Sequence, residues 1–140
     1  SSKYLDNYNE LKKEKEEDIL LLSKKNLNPI MNKDEITGKE LLLLLDSRKK
    51  GLLKFILIDV REEEEYVSNR IVGVDYLVPT SSLYEKINVI EIDKKENIIV
   101  QCHSGGRSSQ VQSIMKKMGY EKVINLTGGI SSYPGKTEKD

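Results

Sequence analysis

The sequence predicts an α/β domain: a mostly parallel sheet of about five strands with helices on both faces. Three observations lead there. Strand-like and helix-like segments alternate along the chain, the order that builds parallel crossovers, right-handed by the usual rule. Ile98, Ile99 and Val100 are consecutive β-branched residues without polar alternation, which suits a central strand covered on both faces. After Arg107 the period changes: Val111, Ile114, Met115 and Met118 fall at i, i+3, i+4 and i+7, the apolar stripe of a helix. Gly119 follows, where a left-handed cap closes such a helix.

In chain order, residues 1–33 read as a charged N-terminal extension or linker, 34–135 as the folded domain and 136–140 as a flexible tail. Leu11–Asp18 is almost wholly charged and mixed in sign, a solvated helix or linker. Ile19–Leu22 adds a short apolar patch, and Pro29 is expected to end any helix that reaches it. A linker of this kind is expected where a domain is a piece of a longer protein. Thr37 and Glu40 have the spacing of a capping box, predicting a helix of about ten residues through Asp46 with Leu41–Leu45 as core packing. Lys49-Lys50-Gly51 closes it, cations at the negative end of the dipole and glycine beyond.

Phe55–Val60 is the second buried strand, and the run Glu62–Glu65 favours a helix start and otherwise reads as a solvated face. Tyr76–Val78 is a short strand stopped by Pro79. Ser81–Ile90 is a helix carrying Leu83, Tyr84, Ile87 and Ile90, and Lys94–Asn97 is a polar turn into the next strand. Val123–Leu126 is the last strand, and Gly128-Gly129 lets the chain pass close beneath the loop that follows Cys102.

Composition narrows the function. A chain of 140 residues supports one domain with a proper core. Its formal net charge of zero offers no electrostatic reason to expect nucleic acid or an anionic membrane as partner. No apolar run approaches the roughly 18 residues of a membrane span. The single cysteine allows no internal disulfide, which favours a reducing compartment, the cytoplasm, or a functional thiol.

That cysteine, Cys102, lies at the carboxyl end of the central strand, and the loop after it opens onto a helix amino terminus. In open α/β sheets ligands bind there. A thiol is reactive as a thiolate, whose formation is favoured by a nearby cation and by a helix amino terminus. Gly105 and Gly106 can turn their N–H groups inward as an anion-binding nest, and Arg107 adds a fixed positive charge. The result is a small cradle for a negative sulfur species or an oxyanion.

Cys102-His103-Ser104-Gly105-Gly106-Arg107-Ser108 reads C-x-x-G-x-R-S and resembles the active-site loop of single-domain rhodaneses, the sulfurtransferases. Asp59-Val60-Arg61 followed by Glu65-Tyr66 resembles that family's strand-and-turn signature, and Asn125–Ile130 its closing Leu-x-Gly-Gly segment. The three motifs, in order, cover roughly Ile36 to Tyr133. The chain departs from the pattern at Arg70, Val72 and Tyr133, where many relatives have histidine, proline and tryptophan.

The resemblance implies a rhodanese-like fold and a ping-pong reaction. Cys102 takes a sulfane sulfur from a small anionic donor such as thiosulfate, or from a protein persulfide, and passes it to a thiophilic acceptor or a sulfur-carrier protein. It makes Cys102 and Arg107 the catalytic pair, with His103, Ser104, Gly105, Gly106 and Ser108 binding substrate and Asp59 and Arg61 bracing the loop. It implies neither metal nor organic cofactor. It also implies a sulfur-carrier protein or a cysteine desulfurase as a partner, and a place in a longer protein, because such domains are often fused behind enzymes that adenylate sulfur-carrier proteins. Two other readings stand beside it: a non-catalytic rhodanese-like binding module, and a cysteine-dependent phosphatase or arsenate reductase. Related phosphatases use a longer loop than the four residues between Cys102 and Arg107, and Asp75 is the only guess for a general acid. His103, next to the nucleophile on a turn, suits substrate contact at the rim better than the role of base.

Overall fold

The strand that ends at Cys102 occupies the middle of the sheet, as its unbroken apolar run requires. A computed structural model describes residues 27–140; Leu11–Asp18 and Ile19–Leu22 lie outside the described residues. Residues 27–31 are helical, so Pro29 lies within a helical run instead of ending one.

The elements of residues 33–140 are β1 (Glu35–Ile36), α1 (Gly38–Lys49), β2 (Ile56–Asp59), α2 (Glu63–Ser68), β3 (Arg70–Ile71), β4 (Tyr76–Leu77), α3 (Leu83–Ile90), β5 (Asn97–Gln101), α4 (Gly106–Lys117), β6 (Lys122–Leu126) and β7 (Thr137–Glu138). Five strands form one parallel sheet in the order β1-β6-β5-β2-β4. Its register sets Asp59 of β2 beside Gln101 of β5, and Val100 of β5 beside Asn125 of β6. These residues therefore leave the sheet together at the carboxyl ends of its strands.

Strand alternation divides the core. Ile58, Val60, Ile98, Val100 and Val123 pack in one cluster with Leu83 and Ile87 of α3 and Val111 and Met115 of α4, and Cys102 belongs to that cluster. Leu57, Ile99, Ile124 and Leu126 alternate to the opposite face and are fully buried, as are Leu41 and Leu44 of α1. Each such side chain contributes on the order of 2 kcal/mol by leaving water. Among the described residues no helix is long and apolar enough to cross a membrane.

The capping box at Thr37 forms in both directions, its Oγ1 accepting from Glu40 N–H at 3.2 Å and Glu40 Oε1 accepting from Thr37 N–H at 3.0 Å. The helix runs beyond the expected Asp46 to Lys49. Its extra turn is held by tertiary contacts invisible in the local pattern: Arg48 donates to the Phe55 and Gly73 carbonyls and to Asp75. Beyond α4, Gly119 takes the predicted left-handed conformation, with φ of 101°.

The end of the chain departs from expectation. Residues 136–140, read as a flexible tail, instead carry β7, which pairs antiparallel with β3. Arg70 holds it, with Nη1 2.6 Å from Asp140 Oδ1, Nε 3.4 Å from Glu138 Oε1 and the guanidinium stacked 4.6 Å over the Tyr66 ring. The arginine that departs from the family pattern is thus the residue that ties down the terminus. Two exposed strand residues leave no hydrophobic signature, so the sequence shows a tail. Truncation after Gly135 removes the Lys136 carbonyl that accepts from Val72 N–H. Hydrogen exchange at Val72 is expected to accelerate while β5 and β6 stay protected; unchanged exchange at Val72 contradicts the clasp.

Candidate active site

β5 delivers Cys102 to the carboxyl end of the sheet, and the chain leaving β6 holds it there. Ile130 N–H donates to the Cys102 carbonyl and Ser131 N–H to the His103 carbonyl, both at 3.0 Å. That close passage needs Gly129, whose φ is 56° and where a Cβ would overlap the Cys102 and His103 carbonyl oxygens. The expected approach of the glycine pair beneath the loop is therefore present.

The loop then turns back on the sulfur. Gly105, the N-cap of α4, has φ of 106°, a left-handed conformation that glycine adopts without penalty. It aims its N–H at Cys102 Sγ, 3.0 Å away. Ser108, fully buried in the first turn of α4, has its Oγ 3.3 Å from Sγ and 2.5 Å from Asn125 Oδ1. Asn125 Nδ2 in turn donates to the Gly105 carbonyl at 3.4 Å. A hydroxyl has one proton to donate, and Sγ, Asn125 Oδ1 and the Gly105 carbonyl, 3.2 Å away, share it as alternative acceptors.

Cys102 is 1% exposed. Burial is the largest single influence on its ionisation and raises the pKa, but the donors aimed at sulfur outweigh it. The Ser108 hydroxyl and N–H, then the Gly105 and Ser104 N–H groups, bring the thiol below its ordinary value. The amino terminus of α4 supplies the same sign of potential. The site favours a thiolate by hydrogen bonding within a buried setting.

Arg107 is paired with a carboxylate. Its guanidinium forks onto Glu65 of α2, Nη1 to Oε1 at 2.7 Å and Nη2 to Oε2 at 2.9 Å. The arginine holds the Glu65 carboxyl down at about 2. This depressed carboxylate contributes stability that is fully present above its unfolded value and lost only as pH falls toward 2. The pair stays ionised throughout ordinary conditions. Glu65, read as part of a solvated run and of the strand-and-turn signature, was not expected to meet the loop; its spacing from Arg61 was the available signal. Asn125 was missed too, although a polar residue within the buried run Val123–Leu126 was the signal there.

Asp59 and Arg61 brace the turn between β2 and α2. Both are buried, and Arg61 donates to Asp59 from Nε and from Nη2, the latter at 2.8 Å, and to the Asn69 carbonyl at 2.5 Å. This fixes α2, and through Glu65 it fixes Arg107. Of the remaining expected residues, Ser104 and Gly106 are exposed, and His103 sits exposed on a recess of about 460 Å³ beside the loop, together with Arg61, Glu64, Glu65 and Ser131. Asp75 is removed as a general acid: it pairs with Arg48 at 2.7 Å and accepts from Leu57 N–H near the start of β2, away from the loop. Among the described residues no three histidine, cysteine or acidic side chains gather as metal ligands.

The family profile described as Rhodanese-like domain matches residues 37–136. The chain belongs to the rhodanese-like family. It is 40% identical over 82 residues to a proposed sulfur carrier protein, YrkF, of Bacillus subtilis, covering 59% of this chain and 43% of that protein. It is 33% identical over 92 residues to the thiosulfate sulfurtransferase PspE of Escherichia coli, covering 57% of this chain and 88% of the relative. The fold also superimposes on a rhodanese-like domain protein from Staphylococcus aureus with a TM-score of 0.62 at 24% identity, covering 77% of this chain and 99% of that one. The chain thus spans less than half the length of YrkF.

Two outcomes check this geometry. Ser108→Ala removes a donor to the thiolate, so the pH profile of Cys102 alkylation should move to higher pH and the rate at neutral pH fall severalfold; an unmoved profile contradicts the assignment. Gly129→Ala places a methyl group against two carbonyls and should cost on the order of 2 kcal/mol or more in denaturant unfolding; wild-type stability contradicts the close passage.

Proposed function

We propose that this protein is a sulfurtransferase in which Cys102 carries a sulfane sulfur as a persulfide from a donor to a thiophilic acceptor. The observation that carries the reading is the sulfur of the chain's one cysteine, ringed by the Gly105 N–H and the Ser108 hydroxyl at the amino terminus of α4. In the first half-reaction the Cys102 thiolate attacks the donor's outer sulfur. The new S–S bond forms as the donor's own S–S bond breaks, and the leaving group departs with the electron pair as a thiolate or as sulfite. In the second, a nucleophilic acceptor attacks the outer sulfur of the persulfide and Cys102 leaves as the thiolate. Splitting the transfer this way gives two displacements of similar kind. Preorganised N–H groups stabilise sulfur's negative charge in both.

Cys102 is the nucleophile. Gly105, Gly106 and Ser104 supply the backbone cradle, Ser108 is the hydroxyl donor, and His103 meets substrate at the rim. Arg107 and its Glu65 partner hold the loop against α2, while Asp59 and Arg61 hold α2 in turn. The donor is thiosulfate or a protein persulfide such as that of a cysteine desulfurase, and the acceptor is a small thiophile or a sulfur-carrier protein. The likeness to a proposed sulfur carrier protein and to a thiosulfate sulfurtransferase supports both halves. The lone thiol fits work in a reducing compartment, the cytoplasm.

The test is intact-protein mass spectrometry after incubation with thiosulfate and, separately, with a small organic persulfide. Wild type should gain one sulfur atom that cyanide removes, and Cys102→Ser should gain none. A wild type that takes sulfur from neither donor leaves the binding-module reading in its place.

A further inference from the structure

The positive charges beside the active loop are already paired. Arg61 is the only lysine or arginine lining the recess beside His103. It is 3% exposed and engages Asp59 and the Asn69 carbonyl. Arg107 forks onto Glu65, whose carboxyl, held at about 2, stays ionised. Each guanidinium already has a carboxylate partner that offsets its charge. The recess also carries Glu64, for which the described residues provide no cationic partner. Glu62 beside it accepts from the Thr80 and Ser81 hydroxyls, which are neutral. The N–H groups around Sγ carry no such partner charge.

Building on the sulfurtransferase reading, we propose that Glu64 and Glu65 set donor choice: the site selects an organic persulfide whose leaving thiol bears a neutral or cationic group, and discriminates against dianionic thiosulfate. With a persulfide R–S–SH, the Cys102 thiolate attacks the outer sulfur, the R–S bond to that sulfur breaks, and RS⁻ leaves into the recess. Cys102 is left as the persulfide, with atoms and charge conserved. The group R travels through the recess, where it meets Glu64. A carboxylate-bearing R, or the sulfite half of thiosulfate, meets like charge there, the neighbouring guanidiniums being paired already. Charges a few ångström apart at a solvated surface change a rate by roughly fivefold per unit charge. Glu65 acts by occupying Arg107 and is a positioning residue; Glu64 acts directly on the donor.

The test is the rate of Cys102 sulfur loading, read by quenched mass spectrometry, with thiosulfate and with persulfides of 3-mercaptopropionate, 2-mercaptoethanol and cysteamine. Each rate is divided by the same donor's rate with N-acetylcysteinamide to remove intrinsic reactivity. In wild type the normalised rates should rise from dianion through monoanion and neutral donor to cation, and the spread should shrink at high salt. Glu64→Lys should invert the trend between the charged donors and leave the neutral donor unchanged. Glu64 is exposed on a short helix, so folding should be unaffected. Glu65→Gln, which frees the Arg107 charge, should raise loading by thiosulfate severalfold relative to the neutral donor. Loading that proceeds with all donors but shows no charge trend, or a trend that Glu64→Lys leaves intact, overturns this proposal alone. No loading from any donor overturns the sulfurtransferase reading with it.

Discussion

The structure depends on a thiol being held where backbone N–H groups converge. Burial alone would keep Cys102 protonated and inert. What changes its character is that Gly105 N–H and the Ser108 hydroxyl reach the sulfur inside the buried shell, where a hydrogen bond to a charged group is stronger than in water. The rest of the domain fixes the two sides of that contact. β5 places the cysteine, the Gly128-Gly129 passage pins the carbonyls of Cys102 and His103, and α4 begins where its N–H groups face the sulfur.

A second layer of polar contacts keeps this arrangement in register. Asn125, on the neighbouring strand, reaches both Ser108 and the Gly105 carbonyl. On the other side, Asp59, Arg61 and Asn69 set α2, and the Glu65–Arg107 fork ties α2 to the first turn of α4. These groups stand on four different elements. The loop is thus held by the carboxyl end of the sheet as a whole, and the ion pairs beside it act as struts whose charges cancel locally.

Much of this was legible in the sequence. The apolar run into Cys102, the 3.6-residue period after Arg107 and the capping box at Thr37 are local signals, and each marks a real element at nearly its predicted place. The glycine pair after β6 announced a close passage because only glycine tolerates one there. Partnerships between distant residues were not legible. That Glu65 meets Arg107, that Asn125 meets Ser108, and that β7 pairs with β3 through Arg70 all depend on how the chain returns on itself. A charge run looks the same whether it is solvated or carries one half-buried fork, and a two-residue exposed strand has no pattern to read. The loop alone shows the arginine but not its carboxylate partner, which lies 42 residues earlier.

The most direct test of the account is a crystal structure of the sulfur-loaded protein. The account predicts one additional sulfur bonded to Cys102 Sγ, lying within hydrogen-bond distance of the N–H groups of the loop between Ser104 and Ser108, with the Glu65–Arg107 fork unchanged. An outer sulfur turned away from those N–H groups, or contacted instead by a guanidinium released from Glu65, contradicts it.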